Sequence, residues 1–391
     1  MNPTLGLFLL PALLLAPACR EPEPVPPVGE SSGVAPGTSL LVPSTIYGSD
    51  QRISVVLPEG YRGGKERYPV VFATHSRFLH LAGTLADLSG NQIPPAILVY
   101  LETYSSDDLI PAAVSSRPGS GGADRLASFF AEELIPFIDA RFRTRPFRVF
   151  HSGSWGGVFC VYTLLSRPEV FQGCIAATPW VIYDQDAPRF VSMMEPLLQG
   201  GAFRHNFLFL VLGNDPDPGL REGVEALAEA VDRVHPEGLD FEYRYWPEED
   251  HYSVGHKAFF DGLRWMFRDW TTIPDSVLED GPASVEAYRA ATEERFGYPI
   301  GVSWTGTYSR GFELLDAGDT SGAQEMFRVC EALAPAVPAC PMGLGRVLER
   351  GGDLEGARSA YRRALELAVD GEHPDLAPYQ DALARVSGGS G

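Results

Sequence analysis

Basic residues are scarce in this chain: 31 Lys and Arg stand against 51 Asp and Glu, a formal net charge of −20. A surface of that sign excludes recognition of nucleic acid by phosphate neutralisation, and the excess of acid reads as a solvated surface. Long hydrophobic runs are also missing. The longest, from Leu5 to Ala16, is broken by Pro11 and falls short of the roughly 20 apolar residues that a membrane-spanning helix needs. Cysteine is sparse at five residues, and no CxxC, HExxH or EF-hand spacing occurs, so neither a metal site nor a cofactor is expected. Depletion of hydrophobic residues, the mark of disorder, does not apply, because 45% of the 391 residues are hydrophobic. A chain of this length suggests two or three domains at about 150 residues each.

The apolar run is followed by Pro17, Ala18 and Cys19, which together have the apolar core and small-residue site of a secretory signal over residues 1–19. A small residue directly before Cys19, followed by Pro-rich sequence, resembles a bacterial lipoprotein signal with Cys19 as the acylated residue. Plain secretion and a merely apolar N-terminus are the alternative readings. Residues 20–38 are rich in Pro, Gly, Ser and Glu and read as an extended linker. The expected location is therefore exported, periplasmic or cell-surface, with the membrane reached only through a lipid anchor. That compartment permits disulfides. Cys330 and Cys340, ten residues apart across a helix-to-helix turn, are the favoured pair, whereas Cys160 and Cys174 read equally as two small buried apolar side chains.

From about Ser39 short β-branched runs alternate with longer amphipathic ones, the pattern of an α/β sheet between helix layers. Strands are expected over Arg52–Leu57, Val70–Thr74, Ala96–Leu101, Phe147–His151, Gly173–Ala177, Phe207–Leu212 and Phe241–Trp246, and helices over Asp124–Arg141, Trp155–Ser166, Gly219–Val234 and His256–Trp270. Within this pattern Phe147 to Leu165 reads as strand, tight turn and helix. Ser154 occupies the turn with Ser152 and Gly156 two residues to either side, a variant of the G-x-S-x-G nucleophile elbow. Ser152 as nucleophile would put Phe150 at a position where only a small side chain fits. Serine hydrolases of this topology present nucleophile, acid and base in the order Ser, Asp/Glu, His. Asp215, the first carboxylate after Phe207–Leu212, is the candidate acid, with Asp217 as its alternative. His251, on the loop after Phe241–Trp246, is the candidate base. The oxyanion donors expected are the backbone N–H groups of Trp155 and of the loop at His75. His256 reads as a surface or substrate-facing residue.

These residues resemble the esterase D-like or enterochelin-esterase-like group of serine esterases. The resemblance runs from about Val42 to Trp270 and rests on Arg52–Tyr61, Tyr68-Pro-Val-Val71, Asp108-Leu-Ile-Pro111, Gly121-Gly-Ala-Asp-Arg125, Glu133–Asp139, Ser154-Trp-Gly-Gly-Val-Phe159, Asp250-His-Tyr-Ser-Val254 and Asp261-Gly-Leu263. It implies an α/β-hydrolase fold over residues 39–272, a metal-free acyl-enzyme mechanism on a small-molecule ester, and Ser154, Asp215 and His251 as the triad. Two segments depart from the group: Ser152-Gly153-Ser154 stands where it has Gly-His-Ser, and Ala73-Thr74 where it has Asp-Gly. A catalytically decayed domain serving as a scaffold is therefore an alternative, as is an acyltransferase or peptidase on the same fold.

After Trp270 the α/β pattern gives way to a helical tail over residues 284–388. A shift of 34 residues superposes Gly311 on Gly345, Leu314 on Leu348, Gly318-Asp319 on Gly352-Asp353, Ala323 on Ala357 and Phe327 on Tyr361. That period is the tetratricopeptide length. Two such repeats are too few to stand alone, so they are expected to pack on the hydrolase domain, as a protein-binding module or as a buttress that partly roofs the active site.

Overall fold

The β-branched and aromatic runs form eight strands: β1 Thr38–Val42, β2 Gln51–Val56, β3 Tyr68–Ala73, β4 Ile97–Leu101, β5 Thr144–Gly153, β6 Gly173–Pro179, β7 Asn206–Gly213 and β8 Leu239–Trp246. They are seen in a computed structural model that describes residues 37–62, 64–74, 77–183, 187–371 and 373–387. The expected signal segment with Cys19, nearly all of the 20–38 linker, and His75 lie outside the described residues. The strands make one sheet in the order β1-β2-β4-β3-β5-β6-β7-β8. The pairs β1·β2 and β2·β4 are antiparallel and every other pair is parallel, giving a mostly parallel, α/β-hydrolase-like sheet.

Helices cover both faces, which is why the central strands read as continuous apolar runs rather than alternating ones. Along β7, Leu208, Leu210 and Leu212 enter the core on one face while Phe207, Phe209 and Val211 enter the core on the other. The flanking helices are α1 Phe78–Leu88, α2 Ala123–Phe129, α3 Ile135–Arg141, α4 Ser154–Ser166, α5 Ala187–Gly200, α6 Pro218–Val234 and α7 Val254–Met266. A π-helical turn over Phe130–Leu134 joins α2 to α3. Pro136 lies just beyond it and has no N–H for the ordinary i→i−4 bond, so the ladder is displaced there.

Two of the motif segments explain each other. The buried Asp108 carboxylate accepts from the Tyr47 hydroxyl at 3.0 Å and from Arg125, and a side chain at Gly122 would collide with it. The Asp-Leu-Ile-Pro and Gly-Gly-Ala-Asp-Arg segments are thus two halves of one ionic anchor, a buried Asp108 met by an Arg125 that reaches it from the surface.

The tail comprises α8 Arg268–Thr271, α9 Asp275–Glu279, α10 Pro282–Phe296, α11 Thr305–Asp316, α12 Thr320–Leu333, α13 Ala339–Arg350, α14 Leu354–Asp370 and α15 Ala377–Ser387. The 34-residue shift recurs as geometry. Gly311 faces the Phe327 ring, and Gly345 faces the Tyr361 ring, so closely that an added methyl group would overlap either ring. Asp319 caps α12 through the Gly322 N–H, and Asp353 caps α14 through the Gly356 N–H, each at 2.9 Å. A disulfide joins Cys330 to Cys340 across the α12–α13 turn. A second joins Cys160 of α4 to Cys174 of β6, where the sequence reads as well for two unpaired apolar side chains. Among the described residues no helix is long and apolar enough to cross a membrane.

The tail attaches beneath the sheet. Phe296 and Tyr298 enter a cluster with Phe147, Phe207 and Phe267, at the amino ends of β5 and β7, and the Phe296 and Phe267 rings stack with an interplanar angle of 3°. Arg295 reinforces the joint through Asp240 at the start of β8 and Asp269 of α8. The tail is therefore joined at the opposite end of the sheet from the Ser154 turn. Truncating the buried Phe296 to Ala should cost about 3–5 kcal/mol and, because the ring belongs to both parts, should lower the melting temperature in a single calorimetric transition. Two separated transitions in the variant would show that the joint is not cooperative.

Candidate active site

The carboxyl ends of β5, β6, β7 and β8 converge on one edge of the sheet. Ser154 directly follows β5 and opens α4, with a φ of 54°. A left-handed conformation at a serine costs on the order of 1–3 kcal/mol and persists only where the surroundings over-determine it. Here they do. A Cβ on Gly153 would lie 3.3 Å from the Ala177 carbonyl, and one on Gly157 would lie 3.2 Å from Pro179, so β6 is pressed directly against the turn. The Trp180 N–H donates to the Ser154 carbonyl at 3.1 Å. Gly153 offers no side-chain cap to α4, so the N–H groups of its first turn, Trp155 among them, carry no capping side chain.

Ser152 is fully buried, and its hydroxyl donates to the Thr74 carbonyl at 2.9 Å. That bond removes it as a rival nucleophile and accounts for a serine where the elbow pattern has glycine: the side chain ties the nucleophile turn to the end of β3. His151, next to it, is also fully buried. Its Nδ1 lies 3.1 Å from the Ile175 carbonyl and its ring packs on Phe259 of α7.

Asp215 and His251 meet across the β7 and β8 loops, with Nδ1 of His251 2.8 Å from Oδ2 of Asp215. Asp217 is placed differently. Its carboxylate caps α6 through the Gly219 N–H at 2.9 Å, and its own N–H donates to Asp215 Oδ1 at 3.0 Å. Of the two carboxylates weighed from the sequence, Asp215 reaches the imidazole and Asp217 holds a helix and steadies its neighbour. The two loops are zipped together by the Asn214 N–H on the Glu249 carbonyl at 2.6 Å, and Gly213 lets them approach, since a Cβ there would sit 3.0 Å from the Glu249 and Asp250 carbonyls.

His251 is oriented from its own side by a reciprocal cap. Asp250 Oδ1 accepts from the N–H groups of Tyr252 and Ser253 at 2.8 and 2.7 Å, while the Asp250 N–H donates to Ser253 Oγ at 3.0 Å. The backbone donors of Ser253 and Tyr252 hold the Asp250 carboxyl below its usual pKa.

Three features escape a sequence reading. Thr178, at the end of β6, also has positive φ, 41°, and its hydroxyl accepts from the Gly213 N–H at 3.0 Å, joining β6 to the Asp215 loop. Trp180 faces the His251 ring edge-on, with centroids 6.0 Å apart. His256 pairs with His80 of α1, Nε2 to Nδ1 at 3.0 Å, and burial together with His80 and Arg77 lowers its pKa. His80 and His256 are 176 positions apart in sequence, so no local spacing signals the pair.

Residues 44–257 match the family model described as "Putative esterase". Among solved structures, the chain is similar to an IroE-like serine hydrolase from Shewanella oneidensis at 26% identity and a TM-score of 0.66, covering 76% of this chain and 100% of that one. It also resembles an uncharacterised protein from Capnocytophaga ochracea, at 13% identity and a TM-score of 0.61 over 90% of this chain and 99% of that one. A third likeness is to the BES protein from Bacillus cereus, at 20% identity and a TM-score of 0.52 over 61% of this chain and 97% of that one. The Capnocytophaga likeness covers too much of the chain to be confined to the sheet, so it is a likeness of fold that takes in helices of the tail. No curated protein matches the chain.

Burial pushes the His151 pKa down to about 4, so the folded protein keeps this ring neutral while the unfolded chain takes up a proton below about 6.5. The stability this contributes is complete above pH 6.5 and is lost as the pH falls toward 4, up to about 3 kcal/mol for a shift of this size. Urea unfolding should show that decline in the wild type and a shallower one in His151→Asn. Equal slopes would mean that other groups carry the acid sensitivity.

Proposed function

The chain belongs to the esterase family whose model spans β2 to β8, and is an ester hydrolase; from that premise we propose that it works through an acyl-enzyme formed on Ser154. The observation that carries this reading is the contact of His251 Nδ1 with Asp215 Oδ2 at 2.8 Å. It directs the other ring nitrogen away from the carboxylate, as a general base requires. Ser154 Oγ attacks the ester carbonyl carbon as its proton passes to Nε2 of His251. The negative charge that develops on the carbonyl oxygen is met by the Trp155 N–H at the start of α4, with a second N–H from the loop at His75. Collapse of the tetrahedral intermediate breaks the bond to the alcohol oxygen, which takes the proton back from His251. Water then enters by the same route, gives its proton to His251 and releases the acid, restoring Ser154. Asp215 holds the imidazole by Nδ1 and stabilises the imidazolium formed in each half-reaction. If an alcohol replaced water in the second step the product would be a transferred ester, which is how an acyltransferase would differ on the same residues.

The scaffold alternative finds less support. A site released from catalysis has no reason to keep a serine at a φ of 54°. The repeated Gly–aromatic contacts and Asp caps of α11–α14 support reading the tail as a tetratricopeptide-like module that binds a protein partner. Export, with Cys19 as a lipid anchor, is part of the same proposal.

Covalent labelling by a fluorophosphonate should be strong in the wild type and fall to background in Ser154→Ala and in His251→Ala. Asp215→Asn should reduce kcat by roughly 10⁴ through the wrong tautomer at His251, whereas Asp217→Ala, which removes the α6 cap but keeps the backbone N–H on Asp215, should cost about 0.5–2 kcal/mol of stability and lower the rate far less. Labelling of Ser154→Ala at the wild-type level would refute the assignment.

A further inference from the structure

The rings around His251 form a strip. Tyr183 packs against Trp155 at 5.9 Å between centroids, Trp155 against Trp180 at 6.3 Å, Trp180 edge-on to His251 at 6.0 Å, and His251 edge-on to Tyr252 at 5.6 Å. Burial falls along it, from a fully buried Tyr183 through the half-buried Trp155 and Trp180 to a Tyr252 that is 88% exposed. Single exposed aromatic residues are ordinary on protein surfaces. Tyr252 is not isolated, because it ends a continuous aromatic strip, and it is not on a wandering loop, because its N–H is bonded to the Asp250 carboxylate at 2.8 Å within the cap that holds His251. An aromatic side chain held on a fixed turn and left in water contributes little to folding.

The chemistry says which part of a substrate it would meet. Under the acyl-enzyme reading, on which this inference rests, His251 hands its proton to the departing alcohol oxygen, so that oxygen must come within hydrogen-bond reach of Nε2. The remainder of the alcohol then lies beside whatever flanks the imidazole, and among the described residues the rings in contact with it are those of Trp180 and Tyr252. We propose that Trp180 and Tyr252 form the alcohol-side subsite of this esterase and select esters whose alcohol carries an aromatic ring. Tyr252 is a specificity-determining residue that acts in acylation, where the alcohol is still present, and has no part in deacylation, where it has left. Aromatic pairs are worth enough in such settings to change selectivity by roughly three- to tenfold per ring.

Two acetates test this, 2-naphthylmethyl acetate and n-butyl acetate. They share an acyl group, so both give the same acetyl-enzyme. The wild type should favour the naphthylmethyl ester in kcat/KM, Tyr252→Ala should lower the ratio of the two kcat/KM values by roughly three- to tenfold, and Tyr252→Phe should keep it. A companion pair of ethyl esters, phenylacetate and butyrate, varies the acyl group instead, and its ratio should be the same in wild type and Tyr252→Ala. A naphthylmethyl preference that survives Tyr252→Ala, an equal loss on both acetates, or a change confined to the acyl pair overturns the subsite while leaving the acyl-enzyme reading standing. Hydrolysis that persists in Ser154→Ala, or that the wild type lacks for all four esters, overturns that reading and the subsite together.

Discussion

The strained backbone at Ser154 is the constraint on which the active edge of this sheet depends. Serine adopts a left-handed conformation only under compulsion, and the compulsion comes from β6: Ala177 and Pro179 press on Gly153 and Gly157, and Trp180 binds the Ser154 carbonyl. The same strand end supplies Thr178, which reaches the Asp215 loop, and the Trp180 ring, which reaches His251. One short segment, 177–180, therefore touches the surroundings of Ser154, Asp215 and His251. The Cys160–Cys174 disulfide ties α4 to the amino end of β6, the end of the strand away from this segment.

Much of this was legible from the residues, and the boundary between legible and hidden has physical causes. The central strands could be read because burial on both faces makes them apolar without interruption, and the serine turn could be read because a close strand-to-helix approach demands small neighbours. Two helices escape the sequence pattern for identifiable reasons. The segment that forms α5 contains Pro196 inside the helix, which disrupts the helix signal, and α1, although its buried Leu81, Ala82, Leu85 and Leu88 keep helical spacing, carries the weak helix formers Gly83 and Thr84 at its centre. The choice between Asp215 and Asp217 was open because both follow the same strand. Only the position of the α6 N-terminus, which claims Asp217 as its cap, separates them. Trp180, Thr178 and the His80–His256 pair depend on contacts between distant segments and leave no local pattern.

The departures from the related esterases look different once their surroundings are known. Ser152 in place of a glycine would be a defect if the position had to be empty. It instead carries a hydroxyl to the Thr74 carbonyl, at the end of the strand that leads into the His75 loop. Thr74 is itself one of the two residues that replace Asp-Gly, so the two departures touch. The acceptor is a main-chain carbonyl that a residue of any type at 74 would offer, so the contact explains how Ser152 is accommodated and makes no demand on the Thr74 side chain.

Placement of the tail separates two demands that one surface could not meet. The esterase edge needs loops that approach within hydrogen-bond distance, and an aromatic strip that stays open to solvent at Tyr252. A second domain packed there would cover both. Joining the tail at the amino ends of β5 and β7 through Phe296, Tyr298 and Arg295 leaves that edge clear, and it gives the lower ends of the strands an aromatic floor that the sheet's own helices do not complete. The helices beyond the joint reach it through α12, whose Val329 and Leu333 pack in one cluster with Leu278 of α9 and Val285 of α10. Sheet and tail thus each supply the surface that the other lacks, and the cost of joining them falls on the face where no chemistry is done.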